Sequence, residues 1–206
     1  NCIIAGQVGF AGSSNIGDNV SIRADADEGW TTERALYTVE QLEPYGLEFL
    51  EQPVIAEDLS GLARIKQATD VPIAADEVIG NLADAQKVVS ASAADVLVVK
   101  AAKAGGIRHA QAIMAYAALN GLKSTVASSL ETGIGLAAGL HLSTSLGKAN
   151  AASLGTGMRL ESDLLINPIV PVRGHITVPH VPGLGIELDY DAIEQYGTNV
   201  MGVIAG

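Results

Sequence analysis

The sequence has only one cysteine, Cys2, among its 206 residues, so neither an internal disulfide nor a cluster of thiolate ligands can form. A reducing compartment is the simplest interpretation, and we expect a cytoplasmic protein. Basic residues are also scarce, with 12 Lys and Arg against 23 Asp and Glu, which gives a formal net charge of -11. A field of this sign repels phosphate backbones and anionic lipid surfaces. Neither a nucleic-acid partner nor a membrane partner is expected.

Long apolar runs and a cationic leader are missing as well. The mildly apolar stretch from Asn1 to Gly12 is too short to span a bilayer. With 48% hydrophobic and 17% charged residues, the composition excludes disorder and suits one globular domain with a sizeable core.

Short apolar runs alternate with longer segments of helical period, which is the pattern of a parallel α/β fold. Apolar residues at spacings of three between these runs predict one helix after each strand, and Asn81 is expected to be an N-cap. The predicted strands are Val20 to Asp25, Leu47 to Glu51, Pro72 to Asp76, Asp95 to Lys100 and Lys123 to Ser128.

The strand ends recur about every 25 residues, the length of one βα unit, which suits either a (β/α) barrel or a doubly wound sheet. No Gly-rich dinucleotide fingerprint follows the first strand, and this favours the barrel. After Ser153 the sequence is rich in Gly and Pro, which indicates a closing tail with one short strand at His175 to Val178.

Charged residues stand at four predicted strand ends. In a (β/α) barrel these ends form the floor of the active site, so three carboxylates and an amine should converge. Carboxylates about 5 Å apart repel by ~3 kcal/mol per pair at an effective dielectric of 20, and a divalent cation would remove this repulsion. Oxygen ligands without His or Cys favour Mg²⁺ or Mn²⁺ over Zn²⁺. The four residues are Asp25, Glu51, Asp76 and Lys100.

Simpler interpretations exist for each of these residues. Acids at strand ends also serve as helix N-caps or keep loops soluble. Lys100 would either form an ion pair with one carboxylate or, near Mg²⁺ and a second cation, have a lowered pKa and accept a proton.

Six short segments from Asp18 to Tyr196 resemble, in order and spacing, the C-terminal barrel of the enolase superfamily in its muconate-lactonising subgroup. They are Arg23-Ala-Asp25-Ala-Asp27, Leu50-Glu51-Gln-Pro53, Ile73-Ala-Ala-Asp76-Glu77, Val99-Lys100-Ala-Ala-Lys103-Ala-Gly-Gly106, Ser129-Leu-Glu131-Thr-Gly-Ile-Gly135 and Val181-Pro-Gly-Leu-Gly185.

This resemblance implies that Asp25, Glu51 and Asp76 ligate Mg²⁺, and that Lys100 is the acid/base beside a small carboxylate substrate. Such enzymes remove or restore the proton next to the carboxylate and stabilise the enolate. Glu131 matches an acidic group near the substrate of related cycloisomerases, although a structural role there is nearly as plausible. Glu77 and Lys103 are expected to support the ligands.

Two departures from the family pattern stand out. Asp27 replaces the usual Asn two places after the first ligand and adds negative charge there. The family's lysine pair on the second barrel strand lies upstream of any matching residue, and so do the capping domain and the first barrel strands. We therefore expect an incomplete enzyme, with residues 1–19 a remnant of an early barrel helix and loop and residues 20–206 the (β/α) barrel with its closing tail.

The sequence specifies the reaction less closely than it specifies the fold and the ligands. The run Leu160-Glu161-Ser-Asp163 and the tract around Glu131 resemble o-succinylbenzoate synthases, so dehydration is preferred. Muconate-type cycloisomerisation is the nearest alternative, and racemisation or epimerisation of N-acylamino acids or dipeptides ranks lower because the Asp-x-Asp motif is absent. A Schiff-base aldolase using Lys100 and an inactive truncated barrel are the alternatives from other classes. Relatives of this kind are often homo-oligomers.

Overall fold

The computed structural model describes residues 2–5, 20–145 and 151–197. Within these ranges six strands form a sheet whose order follows the sequence, and the first five strands pair in parallel. The sequential order is that of a (β/α) barrel, whereas the strand order of a doubly wound sheet reverses. The strands are β1 (Cys2–Ala5), β2 (Ile22–Asp25), β3 (Phe49–Glu51), β4 (Ile73–Ala75), β5 (Val96–Lys100) and β6 (Lys123–Ala127).

A helix follows each strand from β2 to β6, as the period of three predicts. Thr31, Asp58 and Asn81 accept backbone N–H groups at the starts of the first three helices, and the expected N-cap at Asn81 is thereby confirmed. The helices are α1 (Thr32–Leu42), α2 (Leu59–Gln67), α3 (Leu82–Ser90), α4 (Ile107–Leu119), α5 (Gly133–Thr144) and α6 (Tyr190–Tyr196), and short 3₁₀ turns lie at Glu43–Tyr45 and Thr156–Arg159.

The chain divides into two compact units, Asn1–Thr125 and Val126–Gly206. In the first unit, strands β4 and β5 are buried along their apolar residues, with Ile73 and Leu97 at 0% exposure. In the second unit, α5 buries Leu136, Leu140 and Leu142. No described helix is long and apolar enough to cross a membrane.

Two strand predictions differ from the structure. β1 was not predicted, and the remaining residues of the predicted remnant, 1 and 6–19, lie outside the described ranges. The strand predicted at His175 to Val178 is wrong, because only His175 forms a bridge, with Val172. Arg173 and Gly174 between them adopt positive φ angles of 52° and 78°, so the segment is a tight turn.

A close contact between α1 and α2 explains one glycine. Thr32 donates a hydrogen bond of 2.6 Å to Asp58, and the same carboxylate accepts the N–H of Gly61 at 2.8 Å. A Cβ on Gly61 would lie 2.1 Å from Asp58 Oδ2 and 2.2 Å from Thr32 Oγ1. The cap is therefore compatible only with glycine at position 61.

We predict that Gly61→Ala lowers the melting temperature, with a loss of about 1–3 kcal/mol, because the methyl group displaces the capping carboxylate. Alanine at an ordinary helical position would instead stabilise the helix by about 1 kcal/mol relative to glycine. Differential scanning calorimetry measures the effect. Gly155→Ala is the control, since its Cβ would meet only Met158 Cε at 3.5 Å. A Gly61→Ala protein as stable as the wild type would contradict this account of the cap.

Candidate active site

The register of the sheet brings the charged strand ends to one face. Asp25 and Glu51 are direct partners on β2 and β3, and Glu51 pairs with Ala74 on β4. Asp76 lies two residues after Ala74. On β5, Val96 is the partner of Ala74, and Lys100 lies four residues after Val96. Because side chains alternate with a period of two, all four charged groups project from the same face of the sheet.

Asp76 and Lys100 form a buried ion pair. Lys100 Nζ donates to Asp76 Oδ2 at 2.5 Å, and the two side chains are 14% and 6% exposed. The same ammonium lies 3.6 Å from Glu77 Oε1. The ion pair that the sequence offered as a simpler role for Lys100 is therefore present.

The second carboxylate oxygen of Asp76 is in a different environment from the first. Asp76 Oδ1 is buried and has no hydrogen-bond partner. A buried carboxylate oxygen without a hydrogen-bond donor costs free energy. A bound cation at this position would offset that cost.

Burial and neighbouring charges raise the pKa values of three carboxylates in the site. Burial, followed by the charges of Asp25 and Asp76 and a hydrogen bond with Asp76, raises the pKa of Glu51 to about 9, although Lys100 opposes the shift. Burial also raises the pKa of Asp25, with Asp76 contributing. Burial and the charge of Asp76 raise the pKa of Glu77 to about 7. With every carboxylate ionised the site would carry more negative charge than Lys100 balances, so without a further cation it retains protons.

The pKa of Lys100 moves upward. Burial alone would lower it, but the hydrogen bond and charge of Asp76, together with Glu77 and Glu51, outweigh burial. A lowered pKa was expected only near Mg²⁺ and a second cation, and that expectation stays a prediction.

These residues fit a hard divalent cation by their chemistry. The donors are all oxygens, one of them is buried without a partner, and the cluster when fully ionised has excess negative charge. As the side chains stand, no group of three or more Asp, Glu, His or Cys residues in the described ranges has the arrangement to hold a metal ion. Lys100 engages one Asp76 oxygen. A cation would have to displace this contact, with Asp25, Glu51 and Asp76 as its ligands.

Two of the expected supporting residues, Asp27 and Lys103, have different surroundings. Asp27 is exposed at a positive φ of 47°, a conformation that Asp and Asn tolerate, and its N–H donates to Asp25 Oδ1 at 2.9 Å. Its carboxylate contributes to the raised pKa of Asp25. Lys103 donates to the backbone oxygens of Glu77 at 2.7 Å and Asp76 at 3.4 Å, so it holds the chain after β4 rather than a carboxylate.

Glu131 belongs to the second unit. Its Oε1 accepts the N–H of Ser129 at 3.0 Å, and a Cβ on Gly135 would lie 2.6 Å from its Oε2. These contacts describe the structural role that the sequence left open, and its part near the substrate stays a prediction.

Sequence reasoning assigned no role to Gln52, which follows Glu51 directly. Its side chain is fully buried and hydrogen-bonds the backbone N–H of Asp76. No signal in the local sequence marked this role, because the burial of Gln52 and its positive φ are visible only in the structure.

The family model described as Enolase C-terminal domain-like matches residues 12–192. The chain belongs to this family. Among its enolase-like relatives, L-Ala-D/L-Glu epimerase of Bacillus subtilis (strain 168) is 35% identical over 173 residues, or 83% of this chain and 47% of the relative. The o-succinylbenzoate synthase of Thermobifida fusca (strain YX) is 36% identical over 167 residues, or 81% of this chain and 51% of the relative.

The solved structures agree with this membership of the enolase-like family. The crystal structure of muconate cycloisomerase from Pseudomonas fluorescens matches with a TM-score of 0.82 and 32% identity, over 88% of this chain and 51% of that one. The substrate-liganded L-Ala-D/L-Glu epimerase from Bacillus subtilis matches with a TM-score of 0.75. The chain thus spans about half the length of the relatives it matches. Its strands and helices correspond to part of the (β/α) barrel of this family.

The raised pKa of Glu51 predicts a pH-dependent stability. Below the ordinary carboxyl pKa of 4.5 the group is protonated in both states and its contribution is fully present. As pH rises toward 9 the unfolded state ionises first, so stability is lost by at most about 1.4 kcal/mol per pH unit for this one group. The metal-free melting temperature should fall between pH 5 and 9.

Glu51→Gln should flatten that decline and melt above the wild type at pH 8, in metal-free buffer. Glu40→Gln, on the exposed part of α1, is the control and should keep the wild-type profile. A Glu51→Gln profile as steep as that of the wild type would show that Glu51 is ionised throughout.

Proposed function

We propose that this chain carries the ligand and proton-transfer residues of an Mg²⁺-dependent enzyme that removes the proton beside a carboxylate and stabilises the resulting enolate. Mn²⁺ would be an alternative ion. The small carboxylate substrate is the expected partner, and a homo-oligomer in the cytoplasm is the expected setting. Membership of the enolase-like family supports the proposal.

One observation carries it, namely the buried cluster of Asp25, Glu51 and Asp76 around Lys100. Burial and the charge of Asp76 raise the pKa values of Asp25 and Glu51, which costs stability that a fold retains where function needs these acids. Asp76 Oδ1, which has no hydrogen-bond partner, is an oxygen ready to ligate a cation. Bound there, Mg²⁺ would supply positive charge against a developing enolate oxygen.

Lys100 is the residue we assign to proton transfer. It ends β5 beside the ligands, and its ammonium is already within reach of Asp76 and Glu77. In its charged form it would donate a proton to the substrate carbon, and in its neutral form it would accept one. Which form dominates depends on how much carboxylate charge remains facing it, since these charges raise its pKa.

Dehydration of the o-succinylbenzoate synthase type remains the preferred reaction. The sequence tracts around Glu131 and Leu160 support it, and the synthase of Thermobifida fusca (strain YX) is 36% identical. Cycloisomerisation is the second candidate, favoured by the TM-score of 0.82 to muconate cycloisomerase.

Epimerisation of dipeptides ranks lower because of the surroundings of Asp163. Its Oδ1 accepts the N–H groups of Gly133 and Leu164, both at 2.7 Å, and Glu161 is exposed. Asp163 thus caps the start of α5, which leaves it poorly placed to bind a substrate ammonium. A Schiff-base aldolase is disfavoured because its lysine must be a neutral nucleophile, whereas the pKa of Lys100 is raised.

The metal assignment predicts that Mg²⁺ binds in the micromolar-to-millimolar range and that Asp76→Asn weakens binding at least about tenfold, because a charged ligand is lost. Isothermal calorimetry measures both, with circular dichroism to check folding. Asp70→Asn, at an exposed position, is the control and should bind as the wild type does. Absence of Mg²⁺ binding by the wild type, or binding indifferent to Asp76, would refute the proposal.

In a protein extended upstream to the full length of the relatives, the proton-transfer assignment predicts that Lys100→Met lowers exchange of the substrate's proton with solvent deuterium by about 10²–10⁴-fold. Mg²⁺ binding should persist or tighten, because the competing ammonium is gone. NMR of o-succinylbenzoate precursors, muconates and N-acylamino acids in D₂O measures exchange, with Lys87→Met on exposed α3 as the control. Retained exchange in Lys100→Met would remove Lys100 from the mechanism, and inactivation by borohydride with a carbonyl substrate would favour the aldolase.

A further inference from the structure

A single buried amide joins two of the candidate metal ligands. Gln52 follows Glu51 and is 0% exposed. Its Oε1 accepts the backbone N–H of Asp76 at 2.9 Å, and its Nε2 donates to the backbone oxygen of Val54 at 2.8 Å. This side chain thereby links the turn after β3 to the turn after β4 and fixes their relative positions.

The backbone of the same residue extends this connection. Its N–H donates to the oxygen of Ala74 at 2.9 Å, and its oxygen accepts the N–H of Glu28 at 2.8 Å, in the loop after β2. The strand ends that carry Asp25, Glu51 and Asp76 all lie within a few residues of these bonds.

Gln52 holds an uncommon conformation to do this. Its φ is 33°, in the left-handed region that residues other than glycine seldom adopt. Such a conformation persists where surrounding contacts enforce it. The four hydrogen bonds of Gln52 are contacts of that kind.

Glutamine is the side chain that satisfies both partners. The site needs one acceptor facing Asp76 N–H and one donor facing Val54 O, and a neutral amide provides the two together. A glutamate would present an acceptor to the Val54 oxygen and add charge beside three acids. An asparagine is shorter by one methylene, about 1.5 Å, and would not span the two partners.

We infer that Gln52 is a positioning residue that sets the spacing between the Glu51 and Asp76 carboxylates for a small divalent cation. The inference rests on the proposed function. It assigns Gln52 no contact with metal or substrate, because its amide is fully engaged by the backbone. Its effect is on geometry, and Mg²⁺ is the ion most sensitive to geometry, since it demands near-octahedral ligands at short distance whereas Ca²⁺ accepts a looser shell.

The test compares Mg²⁺ and Ca²⁺ affinities of the full chain by calorimetry, in the wild type, Gln52→Met and Gln52→Asn. Gln52→Met removes both side-chain hydrogen bonds at nearly constant volume. Gln52→Asn keeps an amide and tolerates positive φ better, so it guards against a variant that fails to fold. Gln67→Met, at the exposed end of α2, is the matched control.

The expected result is Mg²⁺ binding weakened about tenfold or more in both Gln52 variants, the size of effect seen for residues that orient ligands. Ca²⁺ binding should weaken less, so the ratio of the two dissociation constants changes. A purely structural role would lower the melting temperature but leave that ratio unchanged at a temperature where the variant is folded, and this outcome overturns the inference.

The measurement distinguishes failure of the positioning role from failure of the metal assignment. If the wild type binds Mg²⁺ and the folded Gln52 variants bind it equally well, the positioning role is wrong and the metal assignment stands. If the wild type binds no Mg²⁺, the metal assignment fails and the positioning role fails with it.

Discussion

The ion pair between Lys100 and Asp76 is the interaction on which the candidate site depends. Both groups are almost fully buried, and removal of one partner from such a pair costs about 3–5 kcal/mol because the other charge is left uncompensated. Glu51 and Asp25 crowd the same carboxylate, and each has a raised pKa. One ammonium therefore restrains a cluster whose members would otherwise repel one another.

The fold supports this cluster at its backbone rather than through further charges. Asp27, Glu28 and Gln52 all adopt positive φ angles directly after β2 and β3. These turns direct N–H groups back onto the strand ends, as in the bonds from Asp27 to Asp25 Oδ1 and from Glu28 to Gln52 O. Strain of this kind is kept where surrounding contacts enforce it, and it gathers at functional sites. Backbone contacts at the strand ends thus act together with the Lys100–Asp76 ion pair to hold the carboxylates.

The sequence predicted the strand ends well and the connections between them poorly. Asp25, Glu51, Asp76 and Lys100 were found because each closes an apolar run, and the parallel register then brings them to one face. Gln52 escaped because its role depends on a left-handed φ that no local pattern encodes. His175 was misread as strand because alternation cannot distinguish a strand from a tight turn followed by extended chain. Periodicity reports burial, whereas the site's finer geometry comes from turns.

Charge balance links the candidate ion to protons. With the pKa of Glu51 raised to about 9 and that of Glu77 to about 7, the cluster at neutral pH holds protons in addition to the Lys100 ammonium. Under the proposed function, a divalent cation takes the place of those protons, because ligands must be deprotonated to bind it. It would also compete with Lys100 for Asp76, which would reduce the interaction that raises the lysine pKa. Cation binding and the readiness of Lys100 to accept a proton are then one coupled equilibrium. The cost of burying three acids around one amine is the physical origin of that coupling.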